Sequence, residues 1–158
     1  MGHHITGLIA RREVLKRLDG QFAGQPCFSL AEGMAFMPLD HENLDEITGH
    51  HEGKAVEGFV YLTERLIELL RLSSRIGAIA YVETDYFGGT GGQGAAVFRD
   101  GAMIGSPDWR EVDAINDALS KIGVSHRVDQ VDAFEAVGLD AFRSNEDYRE
   151  EGSTASGQ

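Results

Sequence analysis

The sequence predicts a single α+β domain, a mostly antiparallel sheet with helices packed on one face. Three observations carry this. Ile76–Tyr86 is a long apolar strand signal that Ala95–Phe98 and Ala102–Ile104 answer after turn-like residues, giving an antiparallel meander. Ala55–Ser73 carries an apolar stripe at helical spacing, wide enough to cover one sheet face. The elements follow as strand, helix, strands, helix, meander, helix, with no internal repeat, and 158 residues suit one core.

In order along the chain, His3–Ala10 reads as a strand around Ile5, Leu8 and Ile9, weakened by Gly7. Arg11–Leu18 reads as a short helix with Val14, Leu15 and Leu18 inward and Gly20 as its stop. Gln25–Leu39 holds one or two short strands, with Phe28 and Leu30 on one face, Met34 and Phe36 on another, and Pro38 closing the second. Asp40 caps a helix to about Thr48 whose Leu44 and Ile47 turn inward, and GHHEG follows as a turn. Ala55–Ser73 is the main helix, through Phe59, Leu62, Leu66, Leu69 and Leu70.

Ile76–Tyr86 is apolar on both faces through Tyr81 and so reads as a central strand, polar only at Glu83, Thr84 and Asp85. The segment FGGTGGQG is then a long hairpin connection whose glycines supply positive φ. Asp100-Gly101 makes a short turn. Ser106-Pro107-Asp108 reads as a helix start, with Val112, Ile115, Leu119 and Ile122 as its buried stripe and Gly123 as its stop. Val124–Val128 reads as an edge strand, Val131–Val137 as a short helix ended by Gly138, and LDAFRSNEDYRE as a helical turn. The domain is expected over residues 1–149; residues 150–158, rich in Gly, Ser and Thr without an apolar anchor, are expected to be disordered.

A hydrophobic fraction of 42% and a charged fraction of 25% are ordinary for a globular chain. Cys27 is the single cysteine, so no disulfide framework is expected. The N-terminus lacks the pattern of a signal peptide and no apolar run reaches the length of a membrane span, which makes cytoplasmic the expectation. The formal net charge of −12 disfavours nucleic acid and anionic membrane and favours a basic partner. It is unevenly spread: four Lys/Arg against two Asp/Glu from Met1 to Gly20 (+2), one against seven from Gln21 to Gly58 (−6), and four against eleven from Glu111 to Gln158 (−7).

The glycine segment invites a phosphate-loop reading, but Gly94 is followed by the strand AAVF rather than by Lys-Ser/Thr or a helix, and Glu83 and Asp85 would repel an anion. The histidines stand as His3-His4, His41, His50-His51 and His126, without zinc spacing, so no metal and no cofactor are expected. Cys27 has no adjacent base and no GxSxG elbow occurs, so no catalytic residue is assigned. Glu83 and Asp85 alternate onto one strand face, and paired carboxylates can do acid/base work. A small enzyme or ligand-binding domain using that pair beside the glycine segment is therefore the alternative reading.

The run YVETDYFGGTGGQGAAVF, with INDALSKIGV and GLDAFRSNEDY, resembles small acidic bacterial proteins of the immunity type, encoded beside secreted toxins. The resemblance spans roughly Gly77–Tyr148 and implies a binding role with no catalytic residues. Together with the charge it gives the leading expectation: an acidic protein-binding module, most concretely an immunity protein neutralising a cognate basic toxin. Its expected partner-binding residues are Glu83, Asp85, Tyr86, Phe87 and Gln93.

Overall fold

The computed structural model describes residues 4–18, 22, 25–30, 33–49, 54–56, 59–87, 90–110 and 114–123. Its strands are β1 (Thr6–Arg11), β2 (Phe28–Ser29), β3 (Met34–Pro38), β4 (Ile79–Phe87), β5 (Thr90–Arg99) and β6 (Ala102–Arg110). Its helices are α1 (Arg12–Lys16), α2 (His41–Ile47), α3 (Glu64–Ser73) and α4 (Ala114–Lys121). The strands form one sheet in the order β2-β3-β1-β4-β5-β6, and every pairing is antiparallel. The chain is an α+β domain, as the element order predicts.

Strand alternation builds a core on each face of the sheet. Leu8, Ala10, Met37, Ile79, Tyr81 and Phe98 join Val14 and Leu15 of α1, Leu44 and Ile47 of α2, and Leu66 and Leu70 of α3. Ile9, Phe36, Ala80, Val82 and Val97 instead meet Ile115, Ala118 and Leu119 of α4. Three helices thus share one face, but α4 covers the other, so the helices are not confined to the single face expected from the sequence. β1 and β4 are apolar on both sides because both sides are buried. Gly7 belongs in this layer for lack of space: a β-carbon there would lie 2.1 Å from the Met37 carbonyl oxygen. Phe28 and Leu30, expected opposite Met34 and Phe36, pack on the same α4-side core as those two.

Local signals set several boundaries. Asp40 N donates to Asn43 Oδ1 at 2.9 Å, completing a capping box at the start of α2. Asp100 (φ 54°) and Gly101 (φ 81°) are both left-handed between paired Arg99 and Ala102, the geometry of a two-residue hairpin turn. Gly123 (φ 97°) follows the last turn of α4, where the sequence places its stop.

Three expectations are corrected. The helix predicted over Ala55–Ser73 exists only from Glu64; Thr63 caps it, its Oγ1 accepting from Leu66 N at 3.3 Å, while Ala55 forms a β-bridge with Thr63. The long glycine connection shrinks to two residues, because Phe87 already pairs with Thr90 and Gly91, Gly92 and Gly94 lie within β5. Ser106-Pro107-Asp108 continues β6 instead of starting a helix: Asp108, Trp109 and Arg110 pair with Ala95, Gly94 and Gln93 across a bulge, with Gly105 at φ 72°. Proline is tolerated there because β6 is an edge strand. Gly20, the GHHEG turn beyond Gly49, Val112, the elements expected from Val124 onward and the 150–158 tail lie outside the described residues.

Candidate functional site

Glu83 sits inside the molecule, 2% exposed, on a strand whose neighbours are almost all apolar. A buried carboxylate must collect donors or be neutralised. Here it collects four. Its oxygens accept from Val60 N at 2.8 Å, Tyr61 N at 3.1 Å and Leu62 N at 3.0 Å, and from Tyr81 Oη at 2.6 Å. Three consecutive amides that would have belonged to the expected helix turn instead onto one anion, which is why the chain stays non-helical until Thr63. Burial pushes the Glu83 carboxyl above its ordinary range, while Tyr81 and the three amides hold it down. Burial and the adjacent Glu83 charge push the Tyr81 phenol well up, keeping it a donor.

An aromatic cluster extends from Tyr81, whose hydroxyl donates to this carboxylate. Phe59 lies 6.4 Å from Tyr81 and 5.6 Å from Trp109, edge-on to the indole. The cluster explains two of the β5 glycines. A β-carbon on Gly94 would come within 2.5 Å of both Phe59 and Trp109, and one on Gly92 within 2.8 Å of Trp109 Nε1. They are small because Trp109, and at Gly94 also Phe59, pack directly against the strand there.

The five expected partner-binding residues are divided by the sheet. Glu83 and Asp85 point to the α3 side, but only Asp85 reaches the surface, where His4 Nδ1 stands 3.2 Å from its Oδ1. Gln93 belongs to the opposite side, where its Oε1 accepts from Ile115 N at 2.7 Å and satisfies an amide in the first turn of α4. Tyr86 and Phe87 pair through their backbones with Gly91 and Thr90; their side chains lie outside the described part. The pair of Glu83 and Asp85 therefore has one member at the surface and one whose oxygens are already occupied. Tyr81 and Glu83 share one strand face by simple alternation, but the amides that complete the arrangement come from residues no spacing rule singles out.

Other chemistry is modest among the described residues. No group of three or more His, Cys, Asp or Glu there could hold a metal, and no helix is long and apolar enough to cross a membrane. Burial raises the Cys27 thiol, and Lys16 lowers it by less, the opposite of nucleophile activation. A cleft between α4 and the β5–β6 pair, lined by Val97, Ile104, Asp108 and Lys121 among others, measures about 20 Å³, room for one water. No family model, curated protein or solved structure matches this chain.

What the fold does organise is charge. The described residues hold twelve Asp/Glu against eleven Lys/Arg, a balance of −1 out of the −12 total. Those charges are sorted along the strand axis. Asp85 stands near the β4–β5 hairpin; Asp40 and Glu42 begin α2 beside Thr6, and Glu64 begins α3 beside the Glu83 amides. Asp108 and Asp117 lie nearby, both paired with Arg110. Against Lys54, Arg65 and Arg110 at the same end, carboxylates predominate, and the hairpin end is the more acidic one among the described residues.

Proposed function

We propose that this protein is an acidic protein-binding module whose hairpin end receives a basic protein, most concretely an immunity protein that neutralises a cognate bacterial toxin in the cytoplasm. The observation that carries this reading is the exposed Asp85 at the hairpin end of the sheet, with Glu42 and Glu64 exposed at the starts of α2 and α3, in a chain of net charge −12. Carboxylates on a preformed end steer a basic partner and fix its orientation without a catalytic group. The engagement of Glu83 by four donors supports the same reading over the acid/base alternative, since it leaves Asp85 without a second free carboxylate.

The test is copurification with a basic protein encoded by a neighbouring gene, followed by affinity measured against salt. Binding that weakens steadily with salt, and weakens about tenfold in a combined Glu42→Gln, Glu64→Gln, Asp85→Asn variant, is expected of rim charges. No association with any basic neighbour-encoded protein at low salt removes the immunity reading. Binding that ignores both salt and these substitutions removes the acidic end as its surface.

A further inference from the structure

The end of the sheet opposite the hairpin carries the reverse charge. β1 leaves the sheet there into α1, bringing Arg11, Arg12, Lys16 and Arg17 to the surface. α1 abuts the segment that feeds β4, since a β-carbon on Gly77 would lie 2.6 Å from Val14 Cγ2. Arg75 in that segment reaches the β5–β6 turn, where a β-carbon on Gly101 would lie 3.4 Å from its Nε, and Arg99 flanks the same turn. On the other face Arg11 reaches the end of α4, its Nη2 3.5 Å from the β-carbon position of Gly123, close to Lys121. With Arg71 near the end of α3, eight exposed cations stand here against Glu13 and Asp100 among the described residues, with Lys121 at the margin beside the cleft that Asp108 and Asp117 also line. None of the eight takes part in an ion pair among the described residues.

The β4–β5 hairpin and the β5–β6 turn stand at opposite ends of β5, about 30 Å apart, several times the screening length of about 8 Å at physiological salt, so Asp85 and the Arg75–Arg99 corner are screened from one another. We infer that the end formed by α1, Arg75 and Arg99 is a second interaction surface, one that takes a short carboxylate-rich segment of a protein partner. Six of its eight cations are arginines, whose planar forks match carboxylates two bonds at a time. An extended polyanion such as nucleic acid would run past this end and meet the acidic remainder of the chain, whereas a short acidic segment stays within it.

The probe is a fluorescent peptide of about ten consecutive glutamates, titrated into the full chain at about 20 mM salt, where screening reaches only about 20 Å. Saturable one-to-one binding is expected. It should weaken about tenfold in Arg12→Gln, Arg17→Gln, Arg75→Gln combined, whose exposed positions leave the melting temperature unchanged, and should be untouched by Asp85→Asn at the other end. Failure of the peptide to bind, or equal binding by the triple variant, overturns the proposal. So does tighter binding of a DNA duplex of equal charge. Peptide binding that emerges only after Asp129→Asn, Asp132→Asn and Glu135→Gln also overturns it, because the end would then belong to the chain's own acidic sequence. None of these outcomes bears on the toxin reading, which rests on the opposite end.

Discussion

Glu83 shows how one residue redirects its surroundings. The Ala55–Ser73 stripe is genuinely helical in period, yet Val60, Tyr61 and Leu62 within it turn onto a carboxylate, because three amides donating to a buried anion satisfy both the anion and the amides. Glu83→Ala leaves those amides and the Tyr81 hydroxyl without their acceptor. It should cost about 3–5 kcal/mol in urea unfolding, with Glu83→Gln costing less. The pH dependence has a definite sign. A carboxyl raised in the native state holds its proton more firmly there than in the unfolded chain, so Glu83 makes stability fall as pH rises from the ordinary carboxylate value through the raised one. Glu83→Gln should flatten the stability profile in that window; an unchanged profile would show that other groups set it. Periodicity located Glu83 on the strand and paired it with Asp85, but it reads side-chain spacing and is blind to which backbone amides a buried anion will recruit.

At the level of elements, the glycines of β5 carry the main lesson. Composition alone reads Gly91, Gly92 and Gly94 as conformational freedom, whereas the strand needs Gly92 and Gly94 for close approach by Trp109 and Phe59. The two demands write the same letter, and only the pairing of β6 with β5, a contact made after a bulge, tells them apart. Ser106-Pro107-Asp108 was misleading for a related reason: its helix-start signal is local and the ladder that overrides it is not. By contrast β4, the Asp100-Gly101 turn and the Asp40 cap were legible because everything that defines them lies within a few residues. Gly94→Ala should destabilise by about 1–3 kcal/mol through overpacking and shift the Trp109 fluorescence. Trp109→Ala in the same chain should relieve part of that loss, so a double-mutant cycle reads the contact directly; strict additivity would mean that the glycine serves another purpose. Gln93→Ala, which strips an acceptor from the first turn of α4, should cost about 1 kcal/mol and raise amide exchange at Ile115 first.

For the molecule as a whole, one sheet is shared by two cores. β1 and β4 contribute alternate residues to both, with Ile9 and Ala80 on the α4 side and Leu8 and Tyr81 on the other, so neither core can loosen without the strands that hold the other. The same shared sheet keeps the acidic and basic ends a fixed distance apart, which gives the surface charges a direction that the net charge conceals. If this coupling holds, a cavity on either side must lower one common transition. Ile115→Ala, beneath α4, and Leu66→Ala, beneath α3, remove fully buried side chains and should each cost about 2–5 kcal/mol. Both variants should still unfold in a single step, with circular dichroism and Trp109 fluorescence coincident, although Trp109 packs only on the Leu66 side. An Ile115→Ala variant whose helical signal melts before its tryptophan signal would mean that α4 detaches alone, and that the sheet with α1–α3 is the smaller cooperative unit.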